Sequence, residues 1–117
     1  VWMPINYLFI KALEKYGEFY GETVKAEYPS GSGNFLNLKE IAEKLTGRRT
    51  RRVDTDEHGN RPVFGDYNWF YQKEENKKLL LFHEYFHGDS ATGLGASHQT
   101  GWTALIANLM SSLIRVS

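Results

Sequence analysis

The residues of this 117-residue chain best suited to chemistry cluster in one run near its C-terminal end. His83-Glu84-Tyr85-Phe86-His87 matches the H-E-x-x-H pattern in which two imidazoles bind zinc and the glutamate acts as a base. That chemistry needs both histidines on one helical face and a third protein ligand downstream. Gly88 follows the second histidine at once, the apolar, aromatic run 79–86 reads as a strand, and no glutamate occurs after Glu84. The longer glycine/histidine form of the pattern fails too, with Ser90 and Gly93 in its positions. His98 would serve as a third ligand only by folding back. A zinc metalloprotease is thus a remote alternative, and no metal or other cofactor is assigned. The same Glu84, flanked by aromatic and histidine side chains, suits a different role, that of a partly desolvated carboxylate that activates water. Asp66 and Asp89 are the other loop carboxylates near these motifs. Neither is assigned a catalytic part, and Asp89 reads as an organiser of its glycine loop.

The elements that must position this run follow from periodicity. Pro4 suits a first helical turn. Ile5, Leu8, Phe9, Ala12, Leu13, Tyr16, Phe19 and Tyr20 then recur at helical spacing, predicting a helix over 4–21 with those side chains inward. Asn37 with Glu40 three residues later predicts a capping box and a second helix over 37–46, with Leu38, Ile41, Ala42 and Leu45 inward. Arg48-Arg49-Thr50-Arg51-Arg52 places four arginines in five residues. Because Asp54, Asp56 and Glu57 follow, it reads as a solvated strand edge rather than a nucleic-acid patch, and 50–64 reads as a hairpin turning at Gly59-Asn60. Glycines make 88–98 a loop. Trp102, Leu105, Ile106, Leu109, Met110, Leu113 and Ile114 predict a last helix over 100–115, with Thr100 as its cap.

Composition bounds the function. Fourteen basic and 14 acidic side chains give a net charge of zero, against nucleic-acid or anionic-membrane binding. No run nears the roughly 18 apolar residues of a membrane span. No cysteine is present, so disulfides and thiolate metal sites are excluded and the compartment is unread, with the cytoplasm preferred. Aromatic residues reach 15%, suiting a rigid core, a sugar-stacking site, or both. The opening Val1-Trp2-Met3-Pro4 lies already within an apolar element and looks like a segment cut from a longer protein.

The run 82–110, FHEYFHGDSATGLGASHQTGWTALIANLM, carries Glu-Tyr-Phe, Gly-x-Gly and Thr-Gly-Trp-Thr at a spacing that resembles the C-terminal signature of glycoside hydrolase family 63. This is the group of processing α-glucosidase I, mannosylglycerate hydrolases and related α-glucosidases. The opening VWMPINYL is similar to the family's stretch after a Trp-Arg-Gly-Pro element. The resemblance implies a mainly α fold, the C-terminal part of an (α/α)6 toroid of the six-hairpin glycosidase kind, with a small β element. Residues 1–117 would be the C-terminal piece of one catalytic domain, inactive when isolated and partnered by the remainder of that domain. It implies inverting hydrolysis of an oligosaccharide or small glycoside with an α-glucosidic or similar bond. Glu84 would be the general base, and the general acid would lie upstream. Inversion needs the two carboxyl groups about 6.5–9.5 Å apart so that water fits between them. Trp2 and Trp102 offer apolar faces to a sugar ring, with core packing as the competing reading. Asn6, His98 and Gln99 offer hydrogen-bonding groups near the implied sugar pocket, or else cap loop backbone. Tyr85, alternating away from Glu84 on a strand, reads as packing. The rival function from another class is a non-catalytic carbohydrate-binding or interaction module.

Overall fold

The computed structural model describes residues 1–116, with side chains through Ile114. Helix α1 spans Met3–Tyr20, with Pro4 in its first turn as expected. Its inward face, however, is the line Met3, Ile10, Gly17, stepping by seven residues, with Tyr7 and Leu13 partly buried beside it. The face predicted to point inward largely faces out: Ile5, Leu8, Phe9 and Tyr16 are each more than half exposed and Phe19 is 81% exposed. Both faces of α1 are apolar enough for either outcome, and contact with the next helix selects between them. That contact is close at Gly17, where a Cβ would come within 3.0 Å of the Lys39 backbone nitrogen.

Strands β1 (Lys25–Glu27) and β2 (Phe35–Asn37) pair antiparallel, Ala26 opposite Leu36. The Glu27 carboxylate accepts the Gly31 and Gly33 amides at 2.9 and 2.7 Å, which stabilises its charged form and lowers its pKa. Asn37 then caps α2, Leu38–Thr50. Its side chain accepts the Glu40 amide, and the Glu40 side chain accepts the Asn37 amide, each at 2.9 Å. The predicted capping box is therefore present. The helix runs four residues beyond its expected end, so Arg48 and Arg49 lie in its last turn rather than on a strand edge. Cationic side chains there face the negative end of the helix dipole, a favourable placement.

The hairpin expected over 50–64 does not form. The Asp56 carboxylate takes the His58 and Asn60 amides at 2.9 and 2.8 Å, closing a compact turn. A 3-10 helix over Pro62–Tyr67 and the single-turn α3, Asn68–Tyr71, follow. Val53, Val63 and Phe64 enter the core instead of forming a ladder. The strand expected over 79–86 shrinks to β3, Tyr85–Phe86, paired antiparallel with β4, Gly93–Leu94, and Glu84 stands just before it. The last helix starts later than expected. Gln99 O accepts the Trp102 and Thr103 amides, and a 3-10 turn over Thr103–Leu105 leads into α4, Ile106–Val116, so Thr100 is not its cap. Met3, Ile10, Ala42, Val53, Val63, Phe64, Phe86, Ile106 and Leu109 form the core, which α1, α2 and α4 enclose.

The toroid expectation is therefore corrected. About half of the described residues are helical, in four α-helices, one of them a single turn, and three short 3-10 helices, together with two two-stranded antiparallel sheets. A toroid segment requires successive long helices paired into hairpins. Here 51–102 contains only short helices, turns and β3–β4, because its apolar residues lack the 3.6-residue period that would bury one side of a long helix. Among the described residues no helix is long and apolar enough to cross a membrane.

Candidate catalytic surface around Glu84

Glu84 is positioned from two sides by backbone. On one side, the Val1 amino group donates to Phe86 O at 2.6 Å, the Phe86 amide donates to Val1 O at 2.8 Å, and Trp2 bridges antiparallel to Tyr85. On the other, the returning chain accepts the Phe82 amide at Ser97 O (3.0 Å) and the Glu84 amide at Ala96 O (2.8 Å), and the Gln99 amide donates to Phe82 O (2.7 Å). A segment of intrinsically weak β length is thus held by residues from both ends of the chain.

The Glu84 carboxylate is half-buried and reaches the Ala96 amide, 3.4 Å from its Oε2. Gly95 leaves room for it. Its φ of +71° favours glycine, and a Cβ there would stand 2.8 Å from Glu84 Oε2 and 2.7 Å from Tyr85 Cε1. The carboxylate therefore packs over glycine backbone rather than against a charge partner, since no lysine, arginine or histidine lies within 4 Å of it among the described residues. Tyr85, read as packing away from Glu84, instead adjoins Gly95 beside it and is 42% exposed.

The two histidines of the motif do separate jobs. His83 is part-buried and stacks its ring over Gly93, where a Cβ would come within 2.2 Å of its Cδ2. Burial lowers its pKa, favouring the neutral ring, and its Nδ1 has no partner among the described residues. His87 is exposed, and its Nδ1 accepts the Asp89 and Ser90 amides at 3.3 Å. The segment is not helical, with a bend at Glu84 and β3 over Tyr85–Phe86, so the helical face that H-E-x-x-H zinc binding requires is missing. Among the described residues no group of three or more histidine, aspartate or glutamate side chains could hold a metal ion.

The other sequence-selected residues lie around this surface. Trp2 is 52% and Trp102 43% exposed, so neither is a core residue. His98 is exposed and bridges to Phe82, with Nδ1 3.3 Å from Ser97 Oγ. Gln99 is half-buried and uses its backbone to start the turn before α4. Asn6 has its amide occupied: Nδ2 donates to Trp2 O at 2.6 Å, and Oδ1 accepts from Arg49 Nη2. It therefore anchors the Trp2 backbone and ties α1 to α2. Residues not singled out beforehand matter as much. Thr103 Oγ1 donates to His83 O at 2.6 Å, coupling the turn after Trp102 to the Glu84 segment. Only Gly95's place in a Gly-x-Gly pair hinted at the close approach it permits. A hollow of about 510 Å³ lies elsewhere, lined by His58, Arg61, Phe64, Tyr71, Gln72 and Lys77 among others.

The chain is 42% identical over 115 residues to the uncharacterized protein YMR196W of Saccharomyces cerevisiae. That match covers 97% of this chain and 11% of the yeast protein, so the chain spans about a tenth of the length of the relative it matches. No protein-family model and no solved structure matches the chain.

Proposed function

We propose that this chain supplies the general base, Glu84, of an inverting glycoside hydrolase acting on α-glucosides or a similarly α-linked sugar. The observation that carries the reading is a half-buried carboxylate kept over the Gly95 backbone, with no lysine, arginine or histidine within 4 Å of it among the described residues. A carboxylate freed of ion pairing keeps its lone pairs for water, as a general base must. Trp2 and Trp102 offer the flat apolar faces on which sugar rings stack, and Gln99 and His98 bring hydrogen-bonding groups to the same strand return. The similarity of 82–110 to the family 63 signature supports the assignment of Glu84 to the base.

The second carboxyl group, which must protonate the departing oxygen, comes in this reading from outside these residues. The yeast relative carries its matching stretch within a chain of which that stretch is only 11%. The test uses the full-length polypeptide that contains this chain, assayed on α-glucosides with Glu84→Gln as the variant. Hydrolysis is expected to fall by about 10²–10⁴-fold while substrate binding survives, because the amide keeps the shape but cannot take a proton. Sugar binding without turnover by the wild-type protein would instead establish the non-catalytic carbohydrate-binding module. Unchanged turnover by Glu84→Gln would remove Glu84 from the chemistry.

A further inference from the structure

The arginine run at the end of α2 contains a charge that nothing described in the chain neutralises. Arg52 is 8% exposed, and its Nη1 is buried without a hydrogen-bond acceptor. No carboxylate of the described residues lies within 4 Å of Arg48, Arg49, Arg51 or Arg52. The guanidinium is held in place by the Phe86 ring, 5.1 Å from Cζ to centroid, a contact that orients it without cancelling its charge. Burial, with Arg49 and Arg48 nearby, pushes the Arg52 pKa down to about 10. Buried charges in proteins are ordinarily paired, and a lone one is costly.

Arg52 lines an open cleft of about 360 Å³ together with Arg48, Arg51, Pro62, Gly88, Asp89 and Ala91. Arg48 directs one donor to Tyr28 Oη at 3.3 Å, and Arg51 directs Nε to Gly47 O at 3.1 Å. Each guanidinium carries five N–H donors, so most of the donor set remains available. The far wall is the turn 87–91, with Gly88 contributing no side chain. We propose that this cleft, separate from Glu84, binds a phosphate group, with Arg52 as its buried anchor and Arg48 and Arg51 at its rim. Three guanidinium charges set against the Asp89 carboxylate leave two positive charges, matching a phosphate monoester above its second pKa of about 6. Guanidinium forks suit the paired oxygens of such a group. The free ion and an organic phosphate share this chemistry.

Isothermal titration of the full-length protein at fixed ionic strength tests it, with inorganic phosphate and phenyl phosphate as the two probes and malonate as a carboxylate dianion. One saturable site for phosphate is expected. Binding of both probes assigns an organic phosphate as ligand, and binding of inorganic phosphate alone assigns the free ion. Arg52→Met should weaken the site at least tenfold, and Arg51→Gln severalfold. Asp89→Asn, a surface change that leaves the anchor in place, should tighten it. Heats no larger than those of chloride, malonate binding tighter than phosphate, or an undiminished site in Arg52→Met would each overturn the proposal. Should Arg52→Met fail to fold, unchanged affinities in both Arg51→Gln and Asp89→Asn would overturn it equally.

Discussion

A methyl group at position 95 would collide with the carboxylate proposed to do the chemistry. Gly95→Ala therefore tests whether the Glu84 geometry matters. The left-handed backbone alone should cost about 1–2 kcal/mol of stability, measurable as a lower urea midpoint. The Cβ would also meet Glu84 Oε2 at 2.8 Å, so the carboxylate must move. In the full-length protein the hydrolytic rate should fall by more than the stability loss explains, because displacing a reacting group by about 1 Å can cost on the order of 10²-fold. Full activity in a folded Gly95→Ala protein would show that Glu84's present position is unimportant. Asn6 makes the converse point: a polar residue beside a surface indole commits its amide to Trp2 O and Arg49, and so acts as a brace.

At the scale of elements, α2 depends on its first turn. The reciprocal Asn37–Glu40 bonds satisfy amides that the helix itself leaves orphaned. Asn37→Ala should lower stability by about 1 kcal/mol, read from chemical denaturation. The effect should propagate, because α2 contacts both α1 and α4 and carries the buried Ile41, Ala42, Thr46 and Thr50. It also sets the arginines: α2 continues through Thr50, which carries Arg52 beneath the Phe86 ring rather than out to solvent. The β3–β4 pair is the opposite case. Two-residue strands have little stability of their own, and they persist through Val1, Ser97 and Thr103, residues that approach from both ends of the chain.

At the scale of the whole molecule, the outward face of α1 stands out. Ile5, Leu8, Phe9, Tyr16 and Phe19 form an exposed apolar stripe along 18 residues of helix. Exposed patches of this kind promote association. The 117 residues expressed alone should therefore self-associate, and Phe9→Glu combined with Phe19→Glu should shift sedimentation toward monomer. A wild-type chain that sediments as a monomer at high concentration would contradict this.

Local interactions made part of this protein legible in its sequence. Pro4 and the helical period located α1, and the Asn37–Glu40 spacing located the start of α2, since both signals act within a few positions. Glycine after His87 and the aromatic run before it argued for a strand through Glu84, and the structure keeps only Tyr85–Phe86 of it, with a non-helical bend at Glu84 itself. Tertiary structure alone decided which side of α1 is buried. Apolar residues lie on both sides of its charged face, Met3, Ile10 and Leu13 on one and Ile5, Leu8 and Phe9 on the other, and the close passage of Gly17 over Lys39 goes with burial of the first set. It likewise decided the burial of Arg52, the loss of the 50–64 hairpin and the late start of α4. In each case a long-range contact, from Phe86 to Arg52, from Val63 to the core, from Thr103 to His83, outweighed a local preference worth less than the burial or hydrogen bond gained. The toroid expectation rested on the resemblance of the two ends, and the described middle, 51–102, folds as short helices, turns and β3–β4 instead of long paired helices.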